Sequence, residues 1–138
     1  MRDSAAWDAR MRAAYAEFLR VKQRVGDEKP ICEDWEARHR AFHMALLSTC
    51  ASPTLLRFCE QIHDRFHRYR RMALPTKSLM GALGDDHGDM MEAAIKRDKP
   101  RAMSLLRNHI ESSNRLIQDN ITFEGPPAIP RRASAALQ

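Results

Sequence analysis

Large apolar residues in this chain return every three or four positions, and prolines and glycines cut that pattern into segments of helical length. From Ser4 to about Arg24, Trp7, Met11, Ala14, Phe18 and Val21 share one helical stripe, which Val25 would extend. Gly26 and Pro30 stop it and predict a loop. A second helix is expected from about Asp34 to Cys50, with Trp35, Phe42 and Leu46 inward. Ser52 and Pro53 then form a start signal, a hydroxyl cap followed by a residue whose missing N–H is not needed there. The third helix carries Leu55, Cys59, Ile62, Phe66 and Tyr69 inward and ends near Leu74 and Pro75. A connection follows, with a short turn at Leu79, Met80 and Leu83. Asp85 or Asp86 caps a fourth helix running to about Arg97, with Met90, Ala94 and Ile95 inward. Asp98 caps a fifth that reaches about Ile121 on Met103, Leu106, Ile110, Leu116 and Ile117. The expected fold is all-α, an antiparallel bundle of five to six helices around an interior site. It occupies residues 1–122, and 123–138 have too little apolar area to offset ordering entropy and read as a disordered tail.

Other properties remove alternatives. At 138 residues the chain fits one domain and needs no disulfide staple to build a core. No apolar run approaches the roughly 20 residues that cross a bilayer, and Met1-Arg2-Asp3-Ser4 lacks the apolar stretch of a signal peptide, so a cytoplasmic protein without membrane contact is expected. Cys32, Cys50 and Cys59 match no zinc-ribbon or redox spacing, and Cys50 and Cys59 read as small buried apolar residues. The net charge of +5 is interleaved with 18 acids along every segment, the pattern of a solvated helix surface rather than a nucleic-acid stripe.

The histidines carry the chemistry. His39 and His43 lie one helical turn apart, on the face that also holds Trp35, Phe42 and Leu46. His87 stands eleven residues before Asp98 and His109 eleven after it, so an antiparallel hairpin turning at Asp98 brings the two to one height. Four imidazoles can thus reach one interior point, a nitrogen-rich set that suits zinc, nickel, copper or iron rather than magnesium or calcium; zinc is expected first, with nickel, iron or manganese as alternatives. Isolated core histidines, and with them a metal-free structural helical module, are the competing reading. A metal-dependent enzyme is a third, although Arg40, Ala41 and Phe42 leave no glutamate base between the paired histidines. His63 and His67 form a second pair, which their charged neighbours assign to the surface. Arg65 and Arg70 flank the inward stripe of the third helix and are the candidates for holding an anionic ligand.

The run Trp35-Glu36-Ala37-Arg38-His39-Arg40-Ala41-Phe42-His43-Met44-Ala45-Leu46, followed by Ser52-Pro53-Thr54-Leu55-Leu56, resembles the central helix and next cap of the FCD domain. Asp86-His87, Ala93-Ala94-Ile95, Arg97-Asp98, Ala102 and Asn108-His109 resemble that domain's closing hairpin, and the likeness spans roughly residues 5 to 120. The FCD domain is the effector-binding part of one branch of the GntR transcription regulators. The resemblance implies a dimeric helical sensor, not an enzyme, that holds a divalent metal through one Asp and three His and completes its coordination with a small carboxylate effector. His43, His87 and His109 fall on the three His positions, whereas His39 stands where the family has Asp. That exchange removes a negative charge from the metal's surroundings and leaves an anionic ligand more to neutralise. The expected effector at the metal is a di- or tricarboxylate or a hydroxy acid. Family members read DNA through a preceding winged helix-turn-helix followed by an opening helix, and neither is expected in this sequence.

Overall fold

A computed structural model of the chain describes residues 2–24, 33–73 and 86–121. Five helices follow in order, α1 Arg2–Arg24, α2 Glu33–Leu47, α3 Pro53–Ala73, α4 His87–Ile95 and α5 Lys99–Asn120, with no strand among the described residues. The all-α expectation therefore holds. Val25, the Gly26–Pro30 loop, Cys32, the turn around Leu79 to Leu83 and the tail from residue 123 lie outside the described residues.

The stripe read on α1 is the centre of the core. Met11, Phe18, Phe42 and Met90 are the largest fully buried side chains. Each such burial contributes roughly 1.5–3 kcal/mol. Trp7 and Met11 pack with Phe42 of α2 and with Met90 and Met91 of α4, while Phe18 and Val21 pack with Trp35, Ala73 and Ile117. One helix thus contributes to two clusters, which also draw on α2, α3, α4 and α5. Trp7 also donates its indole N–H to the Ala45 carbonyl at 3.1 Å, fixing α1 along α2.

The α4–α5 hairpin turns at the predicted corner. Asp98 caps α5 by accepting from the Arg101 amide at 3.2 Å, and Pro100 sits in the first turn. Arg97 adopts a positive φ of 60°, a conformation that costs a non-glycine residue roughly 1–2 kcal/mol. Its guanidinium offsets that cost: it donates to the Ala94 and Ile95 carbonyls, to Asp8 at 2.9 Å and to Ser4, and lies 4.8 Å from the Trp7 ring centroid. Ser52 caps α3 as expected, its hydroxyl accepting from the Leu55 amide.

The orientation of α3 is corrected. Leu55, Ile62 and Tyr69, expected inward, are 56%, 38% and 44% exposed, and the stripe that faces the bundle is Cys59, His63, Phe66, Arg70 and Ala73. The helix is rotated so that a guanidinium and an imidazole point inward, because Arg70 finds a buried carboxylate partner on α2. On α5, Met103 and Ile110 are likewise exposed, while Ser113 and Ile117 are buried. Cys50 and Cys59 are half-buried free thiols rather than fully interior residues.

Candidate metal centre

His39 and His43 leave α2 one turn apart, His87 opens α4 and His109 comes from the middle of α5. One nitrogen from each falls within 4.8 Å of all the others. His39, His43 and His87 are buried, and the His109 side chain is only 11% exposed. The rings of His87 and His109 lie 4.5 Å apart between centroids, the meeting that equal distances from the Asp98 corner require. Trp35 stacks on His39 at 4.7 Å and Phe18 lies 4.9 Å from His87, so the aromatic core of α1 and α2 forms one wall of the cluster.

The donor atoms point at a common centre. Nε2 of His39 is 3.1 Å from Nε2 of His43 and 3.1 Å from Nε2 of His87. Neutral imidazoles facing each other through the same nitrogen can share one N–H per pair, so three converging Nε2 atoms satisfy one another poorly. A cation accepting their lone pairs removes the conflict. On the far side of the cluster, His109 Nδ1 is 2.9 Å from an Asp86 carboxylate oxygen. That bond holds the proton on Nδ1 and leaves Nε2 as the lone-pair nitrogen, the carboxylate–imidazole arrangement that orients metal ligands. Asp86 occupies the N-cap position of α4 yet makes no side-chain capping bond, because its carboxylate is used on His109. His39 is less well supported: its buried Nδ1 has no hydrogen-bond partner among the described residues.

Electrostatics keep His39, His43 and His109 in the form a cation needs. Burial, and after it the neighbouring imidazoles, lower the His39 and His43 pKa values well below the ordinary 6.5. Burial also lowers His109, with His87 acting in the same direction and Asp86 opposing. Unprotonated nitrogens are the metal-binding state. The residues present therefore fit a metal ion, with His39, His43, His87 and His109 to hold it and Asp86 to orient one of them.

A cavity of about 280 Å³ opens beside this cluster, between α2, α3 and α5. His39, His43, His63, His109, Arg70 and Ser113 are its polar lining residues. Arg70 is 4% exposed and donates from Nε and Nη2 to the two carboxylate oxygens of Glu36, both at 2.8 Å. Arg65 is exposed and is not among the lining residues, since it projects from the opposite side of α3. His63, expected at the surface, is half-buried and lines the cavity, its ring 5.2 Å from that of His43. Burial and the nearby Arg70 and Arg40 lower its pKa to about 4, against the pull of Asp64. His67 stays outside the cavity, 3.9 Å from Glu33. Asp86, Glu36 and His63 are the residues that sequence reasoning missed. Only the adjacency of Asp86 to His87, and the four-residue steps from Cys59 to His63 and from Phe66 to Arg70, hinted at them.

The sequence profile of the FCD domain matches residues 1–112. The chain is 33% identical over 110 residues to the uncharacterised HTH-type transcriptional regulator BphR of Paraburkholderia xenovorans (strain LB400), covering 79% of this chain and 45% of that protein. It is 29% identical over 116 residues to the HTH-type transcriptional repressor GlaR of Escherichia coli (strain K12), covering 81% of this chain and 52% of that protein. The chain thus spans about half the length of these curated relatives. No solved structure matches it significantly. Both relatives are transcription regulators rather than enzymes, which sets the metalloenzyme reading aside. No helix among the described residues is long and apolar enough to cross a membrane.

Proposed function

Because this chain belongs to the FCD domain family, the effector-binding domains of GntR-type transcription regulators, we propose that it senses a small carboxylate through a divalent transition metal held by His39, His43, His87 and His109. The observation that carries the reading is the convergence of four imidazole nitrogens, from three helices, within 4.8 Å of one another. Zinc is the first candidate, because nitrogen donors suit borderline ions over magnesium or calcium. Nickel, iron and manganese are the alternatives. Such an ion supplies a coordination position for a carboxylate. The chain's own residues do the rest: α2, α4 and α5 position the imidazoles, Asp86 fixes the His109 tautomer, and Arg70 brings a guanidinium to the lining of the cavity.

A ligand acts on a regulator only through different affinity for two states. Here the cavity wall is shared by α2, α3 and α5, so an acid seated in it biases how α3 packs on the other two. In this reading the domain works in the cytoplasm as part of a homodimer, and reads DNA only through a winged helix-turn-helix outside the sequence described. Metal analysis of the purified protein tests it. About one transition metal per protomer is expected, and His43→Ala combined with His109→Ala should abolish it. Full metal content in that double variant removes the site.

A further inference from the structure

Resting on that reading, we infer that the effector is a monocarboxylate with an apolar body, such as an aromatic or short branched-chain acid, rather than a di- or tricarboxylate or a polyhydroxylated acid. Two features of the cavity carry this, the positive charge at the imidazoles, which calls for an anion, and the apolar chemistry of the rest of the lining, which limits where one can sit.

A divalent ion on four neutral imidazoles keeps both its charges. Asp86, bonded to His109, offsets part of that charge, while Arg70, although bridged to Glu36, still acts on the imidazoles as a positive charge. The site is therefore net positive and calls for an anion, which one carboxylate at the imidazoles supplies.

Apart from the polar lining residues and the Cys59 thiol, the lining is leucine, isoleucine and phenylalanine side chains from α2, α3 and α5, and no lysine, asparagine, glutamine or acid is among the described residues that line the cavity. Arg70, the one guanidinium among those lining residues, acts on the imidazoles, and two of its nitrogens are committed to Glu36. A distal carboxylate or a row of hydroxyls would give up water for leucine and phenylalanine side chains without gaining partners, which is unfavourable. A ring or branched chain at the same place removes apolar surface from water on both sides. At about 280 Å³ the cavity lies just under the range of roughly 300–1,000 Å³ typical of small-molecule sites, the size for a compact acid.

The test uses the full chain loaded with zinc, by thermal melting and calorimetry. The probes are benzoate, 3-methylbutanoate, succinate, malate and uncharged benzamide. Benzoate and 3-methylbutanoate should raise the melting temperature of the zinc-loaded protein and not of the stripped protein, while succinate, malate and benzamide leave it unchanged. Ile62 and Ile110 are 38% and 50% exposed, so Ile62→Lys and Ile110→Lys should fold. Each should weaken benzoate by about tenfold or more, the scale of a lost apolar contact in a pocket, and let succinate bind. If succinate or malate binds the zinc-loaded protein as tightly as benzoate, the inference is overturned and the carboxylate-sensor reading survives. Benzamide binding equal to benzoate, or unchanged benzoate affinity in both lysine variants, also overturns it. If no acid gives a zinc-dependent shift, the sensor reading fails and this inference with it.

Discussion

Asp86 is the residue whose role differs most from what its position suggests. It stands where a helix cap belongs, and any Asp before an apolar helix would be read that way, but its carboxylate is spent on His109 Nδ1. Removing such an orienting partner typically lowers metal affinity by roughly 10–100-fold. Asp86→Asn should therefore weaken zinc by that order in a competition titration with a chelating dye, with helix content by circular dichroism unchanged. Zinc affinity equal to the parent's would show that the contact orients nothing. His39 poses the complementary question, because it brings a neutral nitrogen and a partnerless Nδ1 to the cluster. His39→Asp replaces that nitrogen with a charged oxygen, so metal should be retained while carboxylate binding weakens, the added charge opposing the ligand. Calorimetry on both proteins reads this, and tighter carboxylate binding in the variant would contradict the charge argument.

Among the elements, α3 is held least by apolar packing. Only Arg70 and Ala73 of its described residues are buried, and Leu55, Phe58 and Met72 are more than half exposed. Its main tie to α2 is the Glu36–Arg70 bridge, both of whose side chains are 5% exposed, with the guanidinium 5.8 Å from the Trp35 ring centroid. Surface pairs such as Lys96–Glu92 contribute about 0–1 kcal/mol and do not anchor a helix. Breaking a buried pair from one side costs about 3–5 kcal/mol, because the other charge is left uncompensated. Glu36→Ala should lower stability by that amount in urea unfolding, and Glu36→Leu with Arg70→Met should recover most of it. A loss under about 1 kcal/mol in the single variant would mean that water reaches the bridge and that α3 is anchored elsewhere.

For the molecule as a whole, the buried imidazoles link folding to pH. In the folded protein the pKa values of His39, His43 and His109 lie below 6.5 and that of His63 near 4, whereas the unfolded chain takes up these protons around 6.5. The unfolded state thus binds more protons on the acid side, and stability rises with pH wherever that holds. The metal-free protein should keep its full stability above about pH 6.5 and lose it progressively as the pH falls toward 4, read as a falling melting temperature. His63→Gln should flatten part of the slope. A melting temperature constant between pH 7 and pH 5 would show that the cluster is hydrated enough to protonate in place.

Helical class, element order, the core stripe of α1, the Asp98 corner and the four-imidazole meeting point were all legible in the sequence, and for one reason. Each depends on local spacing: a period near 3.6 selects the buried face, and equal distances from a two-sided corner set equal heights. Tertiary structure decided what spacing leaves open. The rotation of α3 followed a buried carboxylate on another helix, against its own apolar pattern. The use of Asp86 followed a histidine 23 positions away. The inward turn of His63 beside Arg70, and the apolar lining around the imidazoles, exist only once α2, α3 and α5 border one cavity. A charged side chain takes whichever partner the packed helices bring within reach, and hydrophobic periodicity does not record that choice.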